Sequence, residues 1–401
     1  MKRISVFSRP ARTAMFGAML AFATSAQTAP VAAAPAVAAP AVAAPAVAAD
    51  ERYAHEPDIA AALPILAKSI PPPLAALDSI PADNPVTPAG IRLGRILFYD
   101  RSLSQNGLVS CSSCHAQAAG FDDPTRFSIG FKGRITRRSA MALANARFNP
   151  RGRYFRDERA ASLEDQVLQP FTDKIEMGLK PGELTARIAS RPWYGHLFKS
   201  AFGNPEITED RASKALAQFV RSITALNSRY DVARVGKPDR LADFPELSSQ
   251  ENRGKFLFLA SRKEGGAGCS SCHETDAFVM VEPHDNGLPA LKDRPDDGVG
   301  ETTGLEVDKG KFRAASLKNI TVSGPYMHDG RFATLEEVID HYSHGIAGKP
   351  NLAPELRSTD GKPLRFDFSQ TDKAALIAFL ETLTDENLLT DPRYGDPFRP
   401  K

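Results

Sequence analysis

Apolar positions along the chain fall into helical patterns that occur twice. Gly94-Arg95-Ile96-Leu97-Phe98 and Gly254-Lys255-Phe256-Leu257-Phe258 each predict a short helix with apolar residues on one face. Further on, Ala215-Leu216, Phe219-Val220 and Ile223 share their helical spacing with Ala375-Leu376, Phe379-Leu380 and Leu383. Between these pairs, the run from Tyr154 through Asp165 matches Tyr326 through Glu337 without a gap, at an offset of 172. Three elements recurring in one order predict a mostly α chain of two tandem domains related by internal duplication. We place these domains at residues 61–245 and 246–390, with a tail at 391–401.

The N-terminal region follows a different pattern. An apolar run from Ala14 to Ala23 follows Lys2, Arg3, Arg9 and Arg12 and ends at Thr24-Ser25-Ala26, which reads as a signal peptide over residues 1–26. The run is shorter than the ~20 residues that cross a bilayer, so no membrane span is expected after cleavage. Residues 27–60 contain three copies of Pro-Ala-Val-Ala-Ala, from Pro35, Pro40 and Pro45. Recurrent proline and the lack of large side chains predict an unstructured tether.

Composition narrows the function classes. The 401 residues are 42% hydrophobic and 24% charged, too polar for an integral membrane protein and long enough for two domains. The formal charge of +2 becomes −2 once the basic leader is removed, which leaves no basic footprint for nucleic acid.

Export normally directs cysteines into disulfides. Here all four belong instead to Cys111-Ser112-Ser113-Cys114-His115 and Cys269-Ser270-Ser271-Cys272-His273. In such a CxxCH motif two thiols add to the vinyl groups of one heme, and the adjacent histidine ligates its iron. A structural zinc site would need four ligands, and a thioredoxin-like pair needs neither the histidine nor a second copy. The cofactors are therefore two covalently bound heme c groups, with proximal ligands His115 and His273, and the compartment is the periplasm.

The duplication offers an internal control. Tyr342 shifted back by 172 falls on Pro170, which has no ligating side chain. If this position faces the distal side of each heme, Tyr342 caps the second iron and the first stays open for a small molecule.

These residues are recognisable. From about Ile91 to Leu383 the chain resembles the bacterial di-heme cytochrome c peroxidase and MauG superfamily. The likeness is carried by the residues 93–100 before the first heme, the segment 157–166 followed by Glu176-Met177-Gly178, Phe312 to Asn319, and residues 324–338. It implies a peroxidatic heme at His115 and an electron-transferring heme at His273. In the peroxidase branch a loop histidine caps the first iron until reduction. The matching stretch, Ser128-Ile129-Gly130-Phe131, has phenylalanine there, and no histidine occurs between His115 and His196. This favours a permanently open first heme, as in MauG.

The resemblance also assigns Tyr342 as distal ligand of the second heme, with Met280, Met327, His328, His341 and His344 as competitors. Glu164 matches the family's distal acid, the catalytic group; its alternative is a first-turn helix acid stabilised by the backbone dipole. Tyr154 falls where the family often carries a distal glutamine. A calcium ion between the hemes is implied at Ser139, Ser323 and Pro325, held largely by oxygen donors. Among other candidates, His284 reads as solvent-exposed, and Arg134, Arg137 and Arg138 as facing either heme propionates or solvent.

The expected activity is reduction of hydrogen peroxide to water with electrons from a small cytochrome or copper protein, and a homodimer is compatible with it. The alternatives are a MauG-like oxidase acting on a protein substrate and a non-catalytic di-heme electron carrier.

Overall fold

The computed structural model describes Ile70 and residues 72–398. The expected leader (1–26) and tether (27–60) lie outside the described residues. Among the described residues the chain is helical, with isolated β-bridges and no named strand, and no helix is long and apolar enough to cross a membrane.

Six helices position the site: α1 (Pro88–Tyr99), α2 (Leu163–Thr172), α3 (Glu209–Ser222), α4 (Ser249–Leu259), α5 (Leu335–Asp340) and α6 (Gln370–Glu381). Their starts are dictated locally. Thr87, Ser162, Thr208, Ser248, Thr334 and Ser369 each use a side-chain oxygen to accept a backbone N–H of the first turn, which would otherwise lack a partner. Ser162 and Thr334 are equivalent positions of the gapless sequence match.

The two predicted helix pairs form and cross by the same device. A Cβ on Gly94 of α1 would lie 2.0 Å from the Ala215 carbonyl oxygen of α3, and one on Gly254 of α4 would lie 1.8 Å from that of Ala375 of α6. Only glycine admits backbones this close. Around the first crossing, Phe98, Phe121 and Phe219 are buried in one apolar cluster; around the second, Tyr230, Phe258, Phe278 and Phe379 form another. A small third cluster joins the halves through Leu74, Phe148, Ala277 and Val279. Tyr394, near the C-terminus, returns to the first cluster, where its hydroxyl donates to the Ser222 carbonyl at 3.0 Å.

Candidate active site: two cavities behind two CxxCH motifs

Each CxxCH motif opens onto its own cavity. Cys114 and His115 line one of about 490 Å³, and Cys269, Cys272 and His273 line one of about 260 Å³. None of the four thiols forms a disulfide. Burial pushes Cys111 and Cys269 up to about 12, and Cys114 and Cys272 up to about 11. Burial therefore disfavours the thiolate that a redox dithiol or a thiolate metal site needs.

The two histidines are set for ligation in different ways. His115 Nδ1 lies 3.1 Å from the Phe121 carbonyl oxygen, which fixes the ring and leaves Nε2 as the ligating atom. His273 Nδ1 is buried without a hydrogen-bond partner, and burial followed by the nearby His284 pushes this imidazole down to about 4. Arg313 Nε, beside both cavities, also lacks a partner. Buried polar atoms without partners are uncommon in finished proteins, and here they surround the space a propionate-bearing porphyrin would fill.

The His115 cavity is shaped by one face of α2. Leu163, Gln166 and Pro170, spaced three and four residues apart, line it together. Pro170 thus occupies the cavity wall but offers no ligand, and His115 is the only histidine among the lining residues.

Glu164 does not take part in this face. One residue advances a helix by about 100°, which turns Glu164 away from Leu163 and Pro170. Its carboxylate accepts from Arg221 at 2.5 and 2.9 Å and from Asn84 Nδ2 at 2.6 Å, and it is not among the lining residues. Burial disfavours its charge, but Arg221 and Asn84 outweigh that and hold the carboxyl below its usual range. Glu164, the expected distal acid, is instead a half-buried ion-pair partner of the buried Arg221 on α3.

Four acids line the His115 cavity, and of these Asp157 and Glu301 pair with Arg138 and Arg137, which leaves Asp173 and Glu176. Burial, then the like charge of Asp173, pushes Glu176 up to about 7. It sits on the segment after α2, against the loop that carries Phe131. Phe131 N–H donates to the Glu176 carbonyl at 3.0 Å, and a Cβ on Gly178 would lie 2.3 Å from the Phe131 ring. Gly130 approaches the Ile175 carbonyl so closely that a Cβ would stand 1.6 Å from it. The loop is thus packed onto the acid's segment, with phenylalanine where a capping histidine was sought.

The glutamine of this cavity is Gln166, which sequence comparison had placed at Tyr154. Tyr154 does reach the cavity wall, with its hydroxyl 3.1 Å from Ser79 Oγ. Glu176 and Gln166 were legible in principle: both lie in the segment that carried the resemblance, and helical spacing from Pro170 selects Gln166 over Glu164.

The other cavity is lined by both His273 and Tyr342, the latter in a π-helical turn, His341–Gly345, of the kind that often marks a functional site. The Tyr342 hydroxyl accepts from Asn286 Nδ2 at 3.4 Å, and burial outweighs this bond to push the phenol up to about 12. The same Asn286 amide lies 3.4 Å from Met327 Sδ. Met280 and His328 also line this cavity, whereas His341 and His344 do not. His341 Nε2 is instead engaged with the Asn286 carbonyl at 3.1 Å. His284 is half-buried and lines the cavity rather than facing solvent, grouped with Cys272 and Glu355.

The basic cluster separates. Arg138 Nη1 pairs with Asp157 at 2.5 Å and its Nη2 with Asp296 at 2.7 Å, and Arg137 pairs with Glu301 at 2.5 Å. These two arginines tie the halves together, and Arg134 remains exposed. Ser139 lines the His115 cavity, whereas Ser323 and Pro325 line the His273 cavity.

Comparison with known proteins agrees with this geometry. Residues 88–239 match the profile of the di-haem cytochrome c peroxidase family. The methylamine utilization protein MauG of Methylorubrum extorquens is 34% identical over 309 residues, which cover 76% of this chain and 81% of that protein. Cytochrome c551 peroxidase of Nitrosomonas europaea is 31% identical over 318 residues, with 78% and 86% covered. A crystal structure of a MauG-like protein associated with microbial copper homeostasis superposes with a TM-score of 0.69 at 36% identity, covering 83% of this chain and 98% of that one. The chain belongs to the di-haem cytochrome c peroxidase and MauG family.

Proposed function

We propose that the protein is a periplasmic di-heme c-type peroxidase that reduces hydrogen peroxide to water at the His115 cavity. Two heme c groups, attached at Cys111 and Cys114 and at Cys269 and Cys272, supply the redox chemistry when bound. His115 and His273 would ligate the two irons, and Tyr342 would supply a further ligand to the second. The repeated helix crossings at Gly94 and Gly254 support two halves derived by duplication, each built around one heme.

The observation that carries this reading is the pairing of Glu176 with Pro170. A carboxyl held near neutrality by burial can take a proton from peroxide and return it to the oxygen that leaves as water. Gln166 lines the same wall and orients the substrate by hydrogen bonding. Pro170 keeps a ligating side chain out of the space that peroxide needs. Export by the leader at residues 1–26 agrees with heme attachment outside the cytoplasm.

A specific observation favours a second reading, a MauG-like oxidase that acts on a protein partner. Tyr342 is poised at the second cavity, and a phenolate ligand stabilises oxidised iron more than a thioether does. A solved structure 36% identical to this chain is itself described as that of a MauG-like protein.

The test is a peroxide titration of purified holoprotein, followed by optical and spin-resonance spectra without prior reduction. A ferric high-spin component that shifts with peroxide or cyanide is expected. Wholly low-spin irons that ignore both ligands would leave only an electron carrier. Rapid turnover with reduced cytochrome c selects the peroxidase, and poor turnover with a lasting oxidised state shared by both hemes selects the oxidase.

A further inference from the structure

The wall between the two cavities contains a cation that neither CxxCH motif predicts. Arg156 and Arg313 line both cavities at once; Arg313 is buried, and Arg156 is half-buried with its charge disfavoured by the surrounding protein. A cation disfavoured in this way is ordinarily paired with a carboxylate. Arg156 instead donates to oxygens of a loop: Nη2 to the Ala140 carbonyl at 2.6 Å and Ser139 Oγ at 3.0 Å, and Nε to the Ser139 carbonyl at 3.3 Å.

The charges around Arg156 are largely committed elsewhere. Asp296 pairs with Arg138, as does Asp157, and Asp329 pairs with Arg331. Asp122 remains; it lines the His273 cavity and attracts Arg156 without forming a direct ion pair among the described residues.

This arrangement does not fit a calcium ion at the three positions where family resemblance implied one. Calcium takes six to eight converging oxygens. Ser139 lines one cavity and hydrogen-bonds to Met327 and His328 on the segment that follows Pro325, so the obstacle is the commitment of its oxygens. Both Ser139 oxygens already accept from Arg156, and Ser139 Oγ itself donates to the Met327 carbonyl at 2.8 Å. A divalent ion drawing on those oxygens would stand beside a fixed like charge.

We propose that the Arg156 guanidinium is the resident cation between the two hemes, in place of calcium, and that it raises the reduction potential of both. The inference rests on the reading that each cavity holds a heme. A fixed positive charge stabilises the reduced iron, which carries one negative charge more than the oxidised iron, and its effect is strong where water is excluded. Arg156 is thus a positioning residue for charge. Its counterpart in the second half, at the offset of 172, is His328, which stacks on Phe312 with ring centroids 3.8 Å apart and which burial pushes down to about 4. The duplicated element therefore carries a cation in one copy and a neutral ring in the other.

The experiment is metal analysis and redox titration of holoprotein in which two hemes per chain have been verified. Wild type should contain no stoichiometric calcium after exchange into chelator-free buffer, and a chelator should leave both midpoint potentials unmoved. Arg156→Met should lower both potentials, and Arg156→Lys, which keeps the charge, should lower them less. One tightly held calcium per chain, a chelator-induced shift, or unchanged potentials in Arg156→Met would overturn the proposal. The wild-type measurements decide the occupant of the seat even if Arg156→Met loses heme. None of these readouts is peroxide turnover, so failure of the peroxidase reading is scored separately.

Discussion

The cavities at His115 and His273 lie in halves that share the same glycine-mediated helix crossing, yet they are finished in opposite ways. Behind His115 the wall offers proline where the second half offers tyrosine, and adds a carboxyl near neutrality. Behind His273 the space is smaller and holds Tyr342, Met327 and Met280, all able to ligate iron. Common scaffolding thus sets where a heme sits, and a few wall residues set what it can do. On the proposed reading, one cavity leaves room for a substrate and a proton carrier, and the other would saturate its metal for moving electrons.

The most severe way to break this contrast is to remove the proton carrier. Glu176→Gln keeps the shape of the wall and should slow peroxide cleavage by about 10²-fold or more, the scale of general acid–base assistance, as read by stopped-flow spectroscopy. A group that must accept a proton works only when ionised. With Glu176 pushed up to about 7, the wild-type rate should therefore fall as pH drops through neutrality, and this acidic limb should vanish in the variant. An unaltered rate and pH profile would detach Glu176 from the chemistry.

Glu164→Gln sharpens the same contrast by showing what an acid of the same helix region does when it faces away. Its loss leaves the Arg221 guanidinium, whose side chain is 2% exposed, without its charge partner. Breaking a fully buried pair costs ~3–5 kcal/mol; because Glu164 is partly exposed, about 2 kcal/mol of stability should be lost, with the peroxide rate close to wild type. The sign of the pH effect follows from the depressed carboxyl. Its stabilisation is complete above the ordinary glutamate range and fades as acid titrates the folded protein through its lowered value. Denaturant titration at two pH values separates this from a catalytic role.

Why Glu164 and Glu176 exchange roles also shows how far the sequence could be read. Helix pairs, caps and heme attachment are written in short-range patterns: the glycines at crossings, Ser or Thr before a helix, and four cysteines in two motifs. Glu164 is held away from the cavity by its long-range pair with the buried Arg221 of α3, which no local pattern announces. The segment from Asp173 to Gly178 folds back beyond the helix end, outside the range of helical periodicity. Arg156 was hidden for a related reason. A charged residue in the shared block reads as solvated, and only the folded loop of Ser139 and Ala140 reveals a half-buried cation. Long-range pairing of polar groups, rather than apolar patterning, is where the reading ran short.

The finest test acts on the closed side of the comparison. Tyr342→Met replaces an oxygen donor by a thioether, and softer ligation favours reduced iron, so the second heme's potential should rise in a spectroelectrochemical titration. The spectrum of the low-spin heme should change with it, while cyanide binding at the first heme stays as in wild type. Asn286 makes the outcome specific to the ligand. Its amide reaches both the Tyr342 hydroxyl and Met327 Sδ at 3.4 Å, so these two groups approach one point from different segments. If Met327 were the ligand in wild type, Tyr342→Met would leave the potential in place and Met327→Leu would move it. A shift in the first variant alone identifies tyrosine as the residue that closes the second heme and leaves the first as the site of peroxide chemistry.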